Sequence, residues 1–199
     1  MGIRCFLLEP TPKVNRYLRR YVDLPCSGPM SFHNAKVYWD TVESTVEMNK
    51  PVDDTVLRDN PLWPTHCECG YEFKSTDEWQ VFTDRLWQRV DTGEEYTMRD
   101  APVGAMWNAY WFAEHAAWRG PDGKTMVVKC PPDGHEWVID GRASNCTMPD
   151  DIVHRCWVRH GEPPLLTVDK NGHTCQAGGG SIQTKTWHGY LRNGELVDA

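Results

Sequence analysis

Apolar positions along this chain follow two different periods, and the switch between them predicts its elements. Between Ser75 and Val90, Trp79, Phe82, Leu86 and Val90 recur at three and four residues, the spacing that collects side chains on one helix face. Ser75 and Glu78 stand three positions apart just before this run and form a capping box. A second helical segment is predicted from Asp100 and Pro102, with Met106, Trp107, Tyr110 and Trp111 as an aromatic stripe to pack on the first helix and Gly104 as a weak point. A short helix over residues 11–22, opened by Thr11-Pro12 and stopped by Pro25, Gly28 and Pro29, places Arg16, Arg19 and Arg20 on adjacent turns.

After Gly120-Pro121-Asp122-Gly123 the period shortens. Thr125 to Lys129 and Glu136 to Ile139 flank a Pro-Pro-Asp-Gly turn and predict a hairpin. Leu165 to Val168 runs into Lys170-Asn171-Gly172, and Tyr190-Leu191 and Glu195-Leu196 are joined through Arg192-Asn193-Gly194. Both Asn-Gly pairs suit tight strand reversals. Val37, Tyr38, Val42 and Val46 give an uneven strand-like pattern within residues 35–48, and Lys50 to Pro64, interrupted by Pro51 and Pro61, reads as a connector. The expected fold is α+β, a small, mostly antiparallel sheet with zinc-ribbon-like knuckles and a packed helical insertion. The expected division is a less regular region over residues 1–62 and a zinc-stabilised domain over 63–199.

Ten tryptophans in 199 residues put much of the apolar area into large rings. The net charge of −7 disfavours broad nucleic-acid binding. No apolar run approaches the roughly 18–20 residues of a membrane span, and the cluster after Met1 ends at Glu9-Pro10, too early for an export signal. These features predict a soluble protein of a reducing compartment, whose cysteines serve as thiols or metal ligands.

Eight cysteines and eight histidines supply the candidate chemistry. In His66-Cys67-Glu68-Cys69-Gly70-Tyr71 the spacing is that of a zinc knuckle, with His66 and Cys67 competing as the partner of Cys69. Cys130 and His135 bracket the hairpin turn and offer the second half, a zinc-ribbon-like pairing across the helical insertion. A second set comprises Cys146, Cys156, His173 and Cys175, with His154 in reserve; Cys5 and Cys26 lack a neighbouring histidine and are read as ordinary thiols. Sulfur and imidazole donors in this mixture suit Zn2+. The best catalytic candidates are Asp140 and Arg142 as a bidentate pair, Asn145 as a bridge between backbone groups, Asp150 and Asp151 as carboxylates that hold a water near a zinc ion with His154 following, and His160 with Glu162 as an acid–base pair. No H-E-x-x-H motif accompanies them.

The run GRASNCTMPDDIVHRCWVRHGEPPLLTVDKNGHTCQAGGGSIQTKTWHGYLRNGEL, with HCECGYEF and RDAPVGAMWNAYW, resembles a group of uncharacterised proteins of tailed actinobacterial phages over about residues 63–197. The resemblance carries no catalytic residue. It implies a phage protein of the host cytoplasm or the virion. With the zinc reading, it leads to the expectation of a structural or interaction protein without catalysis, whose partner is a protein, including virion components. A zinc-dependent hydrolase or nuclease is the alternative.

Overall fold

The computed structural model describes residues 2–28, 31–43, 58–112 and 114–199. The chain divides into two compact units, one of Met1–Glu9 with Gln88–Ala199 and one of Pro10–Trp87. This partition differs from the division at residue 62 read from the sequence. Two long strands, β2 (Phe6–Pro25) and β4 (Glu78–Arg89), pass from one unit to the other, so the Pro10–Trp87 unit is inserted between the first nine residues and the rest.

In the larger unit the start of β2 pairs in parallel with β6 (Ala105–Asn108), Phe6 opposite Ala105. Antiparallel β7 (Met126–Cys130) and β8 (His135–Val138) continue the sheet, and β5 (Glu95–Thr97) lies beside the end of β4. Every residue of β7 is buried, as expected of an interior strand written Met-Val-Val-Lys-Cys. Lys129 is tolerated there because its Nζ donates to the carbonyls of Arg99 and Ala101 at 2.8 and 3.0 Å. A four-stranded sheet joins β1 (Ile3–Arg4), β13 (Glu195–Asp198), β12 (His188–Arg192) and β11 (Ile182–Gln183) in that order. A third sheet pairs β9 (Val158–His160) with β10 (Thr167–Asp169). Cys5, Met106, Val128, Cys130, Leu166, Leu191 and Leu196 are among the core side chains. At the β12–β13 reversal Arg192 faces Glu195, and Asn193 and Gly194 take φ of 46° and 74°, the paired positive angles of a tight hairpin turn.

In the smaller unit β2 forms a long antiparallel hairpin with β3 (Phe32–Glu43), Lys13 opposite Glu43 and Val22 opposite His33. The cationic segment is therefore a strand, and its charges are largely consumed. Arg16 binds Asp40 through both carboxylate oxygens. Lys36 donates to Asp84 and lies over the rings of Tyr17 and Tyr38. Arg20 is buried over Trp63 and Phe73.

The structure corrects the expectation of a packed helical insertion. Among the described residues there is no substantial helix, only Arg58 in helical conformation and two short 3-10 turns, Tyr110–Phe112 and Ala116–Trp118. The segment read as the capped helix is β4, whose two faces both carry apolar groups: Trp79, Val81 and Trp87 on one, Phe82 and Leu86 on the other. Two period-2 rows superimposed imitate a period of three to four. Val90, assigned to the apolar face, is exposed, and the residues before β4 form a turn in which the Lys74 amide donates to Asp77. The segment after Asp100 enters β6, where Met106 and Trp107 are buried, and Tyr110 and Trp111 emerge to the surface. Gly104 is not a weak helix position but a close approach at φ +91°, where a Cβ would meet the Arg4 carbonyl at 2.7 Å. The predicted hairpins at 125–139 and 190–196 are present as β7–β8 and β12–β13. Val46 and the connector residues 50–57 lie outside the described residues.

Candidate metal centres

Each unit gathers three cysteines and one histidine around a point. In the smaller unit Cys26, His33, Cys67 and Cys69 present donor atoms that all lie within 4.8 Å of one another, and in the larger unit Cys146, His154, Cys156 and Cys175 do the same. Both sets can hold a divalent metal ion.

The first centre joins a knuckle to a hairpin end. The Cys67 amide donates to the Tyr71 carbonyl and the Gly70 amide to the Cys67 carbonyl, both at 2.8 Å, while His66 and Glu72 form an antiparallel bridge. Gly70 takes φ +91° at the corner, which turns Cys67 and Cys69 toward one side. Opposite them, Cys26 follows the end of β2 and His33 lies near the start of β3. Cys26 Sγ is 3.8 Å from Cys67 Sγ, and His33 Nδ1 is 3.2 Å from Cys69 Sγ. The His33 ring stacks on Tyr71 at 4.2 Å, and the Arg20 guanidinium donates to the carbonyls of Pro64 and Lys74, tying both ends of the knuckle to β2. Burial works against ionisation of Cys67, but the amides of Cys69 and Asn34 and the side chains of His33 and Cys69 prevail and bring its pKa down to about 6.

The second centre is built from loops. His154 Nε2 lies 3.4 Å from Cys146 Sγ and 3.6 Å from Cys156 Sγ, and Cys156 Sγ lies 3.7 Å from Cys175 Sγ. Two cations organise the backbone around it. Lys170 Nζ donates to the carbonyls of Cys156, Cys175 and Ala177 at 2.7 Å each. Arg142 donates to the carbonyls of Met148, Pro149, Asp151 and His154, so the loop from Cys146 to His154 wraps around one guanidinium. For Cys175, burial opposes ionisation, yet the Thr147 and Ala177 amides, the Thr147 hydroxyl and Cys156 lower its pKa to about 5. Cys156 is pushed the other way, to about 11, chiefly by burial.

The sequence-assigned residues therefore separate. Cys67 and Cys69 meet in the first centre, and Cys146, Cys156 and Cys175 in the second. Cys130 and His135 join neither. They are register partners across the β7–β8 turn, yet Cys130 points into the core, where burial pushes its thiol to about 12, while His135 is exposed. The zinc-ribbon-like pairing of this hairpin with the knuckle is not formed, because the knuckle's two remaining donors come from its own unit. His173 stands outside the second centre with its Nε2 2.8 Å from Asp151 Oδ2, and His154 occupies the position assigned to it. His66 binds Thr65 instead of joining the cluster. Cys26, read from the sequence as an ordinary thiol, is instead part of the first centre, and His33 had no assignment. Their signal was a cysteine and a histidine seven residues apart with Gly28-Pro29 between them in the sequence, a spacing that the ends of two paired strands can bring together.

The catalytic candidates are also rearranged. Asp140 does not pair with Arg142. It is buried, accepts from Arg159 Nε at 2.7 Å and from the Met126 amide at 2.9 Å, and Arg159 reaches Asp122 as well. His160 contacts Asp169 at 2.9 Å, not Glu162. No helix of the described residues is long and apolar enough to cross a membrane. No family model, curated protein or solved structure matches the chain.

Proposed function

We propose that this chain is a zinc-stabilised structural or interaction protein, in which each centre closes around one Zn2+ ion through three thiolates and one imidazole. The observation that carries this reading is the size of the clusters. A tetrahedral site with Zn–S near 2.3 Å and Zn–N near 2.0–2.1 Å requires sulfurs about 3.8 Å apart and sulfur–nitrogen separations of about 3.6 Å. The sulfur pairs stand at 3.8 and 3.7 Å and the sulfur–nitrogen pairs at 3.2, 3.4 and 3.6 Å. A disulfide needs sulfurs at about 2.05 Å, so these are not oxidised pairs.

Four protein donors per ion support a structural role, because a hydrolase or nuclease requires an open position and an adjacent base. The surface supports a partner. Tyr110, Trp111, Ile152 and Val153 are exposed, and Arg155 holds the segment of Ile152 to the 116–119 turn by donating to the carbonyls of Ala116, Arg119 and Ile152. Adjacent exposed apolar side chains, Tyr110 with Trp111 and Ile152 with Val153, favour a protein partner. The resemblance of residues 63–197 to phage proteins supports a partner of the infected cell or the particle.

Elemental analysis of the purified, reduced protein tests the reading. Two zinc ions per chain and an X-ray absorption spectrum of three sulfurs and one nitrogen per ion are expected. A metal-free chain that stays fully folded, or an ion carrying a bound water in place of a protein donor, overturns it.

A further inference from the structure

The two centres have the same donors but not the same access to solvent. Cys69 is exposed, whereas in the second centre Cys156 and His154 are fully buried and Cys146 and Cys175 are partly covered. The corner beside Cys69 is open as well: a Cβ placed on Gly70 would meet no atom within 4 Å. Cys26 lies just past the end of β2, with its sulfur within 4.8 Å of that of Cys69. Cys67 is less free to serve as a redox partner, since it is buried and its backbone is fixed within the knuckle by the Tyr71 and Gly70 bonds.

We infer that the first centre is a peroxide-sensitive zinc site, which releases its ion when Cys69 and Cys26 are joined in a disulfide, while the second centre keeps its ion. This rests on the zinc reading of both clusters. The Cys69 thiolate attacks one oxygen of hydrogen peroxide, forming a sulfenic acid and releasing hydroxide. The Cys26 thiolate then attacks that sulfur, forming the S–S bond and expelling a second hydroxide. Two thiolates give up two electrons, the peroxide accepts two, and the zinc, left with Cys67 and His33, dissociates. With zinc bound all three sulfurs are thiolates, so access decides among them, and Cys69 is the exposed one.

The test uses the wild-type, zinc-loaded chain, so no variant has to fold. Zinc released by hydrogen peroxide is followed with a chromogenic chelator, and the disulfides are then mapped by peptide mass spectrometry. One equivalent is expected to leave at least about tenfold faster than the other, together with a Cys26–Cys69 disulfide, and reductant plus zinc restores two equivalents. Release of both ions at one rate, first release with a disulfide among Cys146, Cys156 and Cys175, or loss of zinc without a Cys26–Cys69 bridge overturns the inference and leaves the structural zinc reading standing. Fewer than two zinc ions before peroxide is added overturns that reading, and this inference with it.

Discussion

Replacing Cys156 by serine and, separately, Cys130 by alanine separates a ligand from a core thiol, although both cysteines are fully buried. Cys156 Sγ stands 3.6 and 3.7 Å from His154 Nε2 and Cys175 Sγ, so Cys156→Ser removes one corner of a four-donor shell and leaves the remaining thiols crowded around no ion. Structural zinc contributes about 10–16 kcal/mol of apparent binding free energy in small metal-dependent folds, against a typical net stability of about 5–15 kcal/mol. Even half of that contribution exceeds what the loops between Asp140 and Ser181 can replace, since their only regular structure is the short β9–β10 pair. Cys130→Ala deletes one sulfur from a packed core, at a cost of about 1–2 kcal/mol. Elemental analysis and thermal unfolding read both variants. Cys156→Ser is expected to hold one zinc, because the first centre draws all its ligands from the Pro10–Trp87 unit, and to lose a cooperative transition. Cys130→Ala is expected to hold two and to melt a few degrees lower. If Cys156→Ser kept both ions, or Cys130→Ala lost one, the assignment of the second centre would be wrong.

Three further outcomes follow from other contacts. Lys170→Met leaves the carbonyls of Cys156, Cys175 and Ala177 without their shared donor, which should cost about 2–3 kcal/mol and speed zinc loss to a chelator at the second centre only. Asp140→Ala leaves Arg159 Nε and the Met126 amide without their acceptor, while Asp122 still pairs the guanidinium; a loss of about 2–3 kcal/mol in denaturant unfolding is expected, with Asp140→Asn less damaging because it retains an acceptor. Gly189→Ala, on β12, drives a methyl group into the Trp187 ring and the Val197 carbonyl. Val197 belongs to the paired strand β13 and Trp187 to the turn that leads into β12, so the variant should unfold at least about 2 kcal/mol more easily, and unchanged melting would show that the strand pair and the Trp187 ring give way at little cost.

The sequence carried some of this fold openly. The reversals at Asn193-Gly194 and at Pro131–Gly134 were readable because a tight turn depends on the residues inside it. The helices were misread for a physical reason. β2 and β4 bury side chains on both faces, so neither shows the simple alternation of a half-buried strand. The metal centres follow the same division. Cys67 and Cys69 share one knuckle and were visible together. Cys26 and His33 become neighbours only once β2 and β3 are recognised as a hairpin, and the segment had been read as a helix. The choice between His154 and His173 depended on Asp151, whose carboxylate engages the second and leaves the first to the sulfurs. Cys130 and His135 had suitable spacing and stand opposite each other in the hairpin, but Cys130 is packed among core side chains, and among the described residues no further donors gather with the pair.

The insertion of one unit within the other also orders events during synthesis. By the time Trp87 leaves the ribosome, the smaller unit has every donor of its metal centre and can take up an ion at once. The larger unit waits. Its strand Ile3–Arg4 finds its partner only when Glu195 and Leu196 have been made, so a segment made before the smaller unit is secured only after almost all of the larger one. If zinc is the ion, as proposed, a shortage of it would be felt first in the smaller unit, while the chain is still being made.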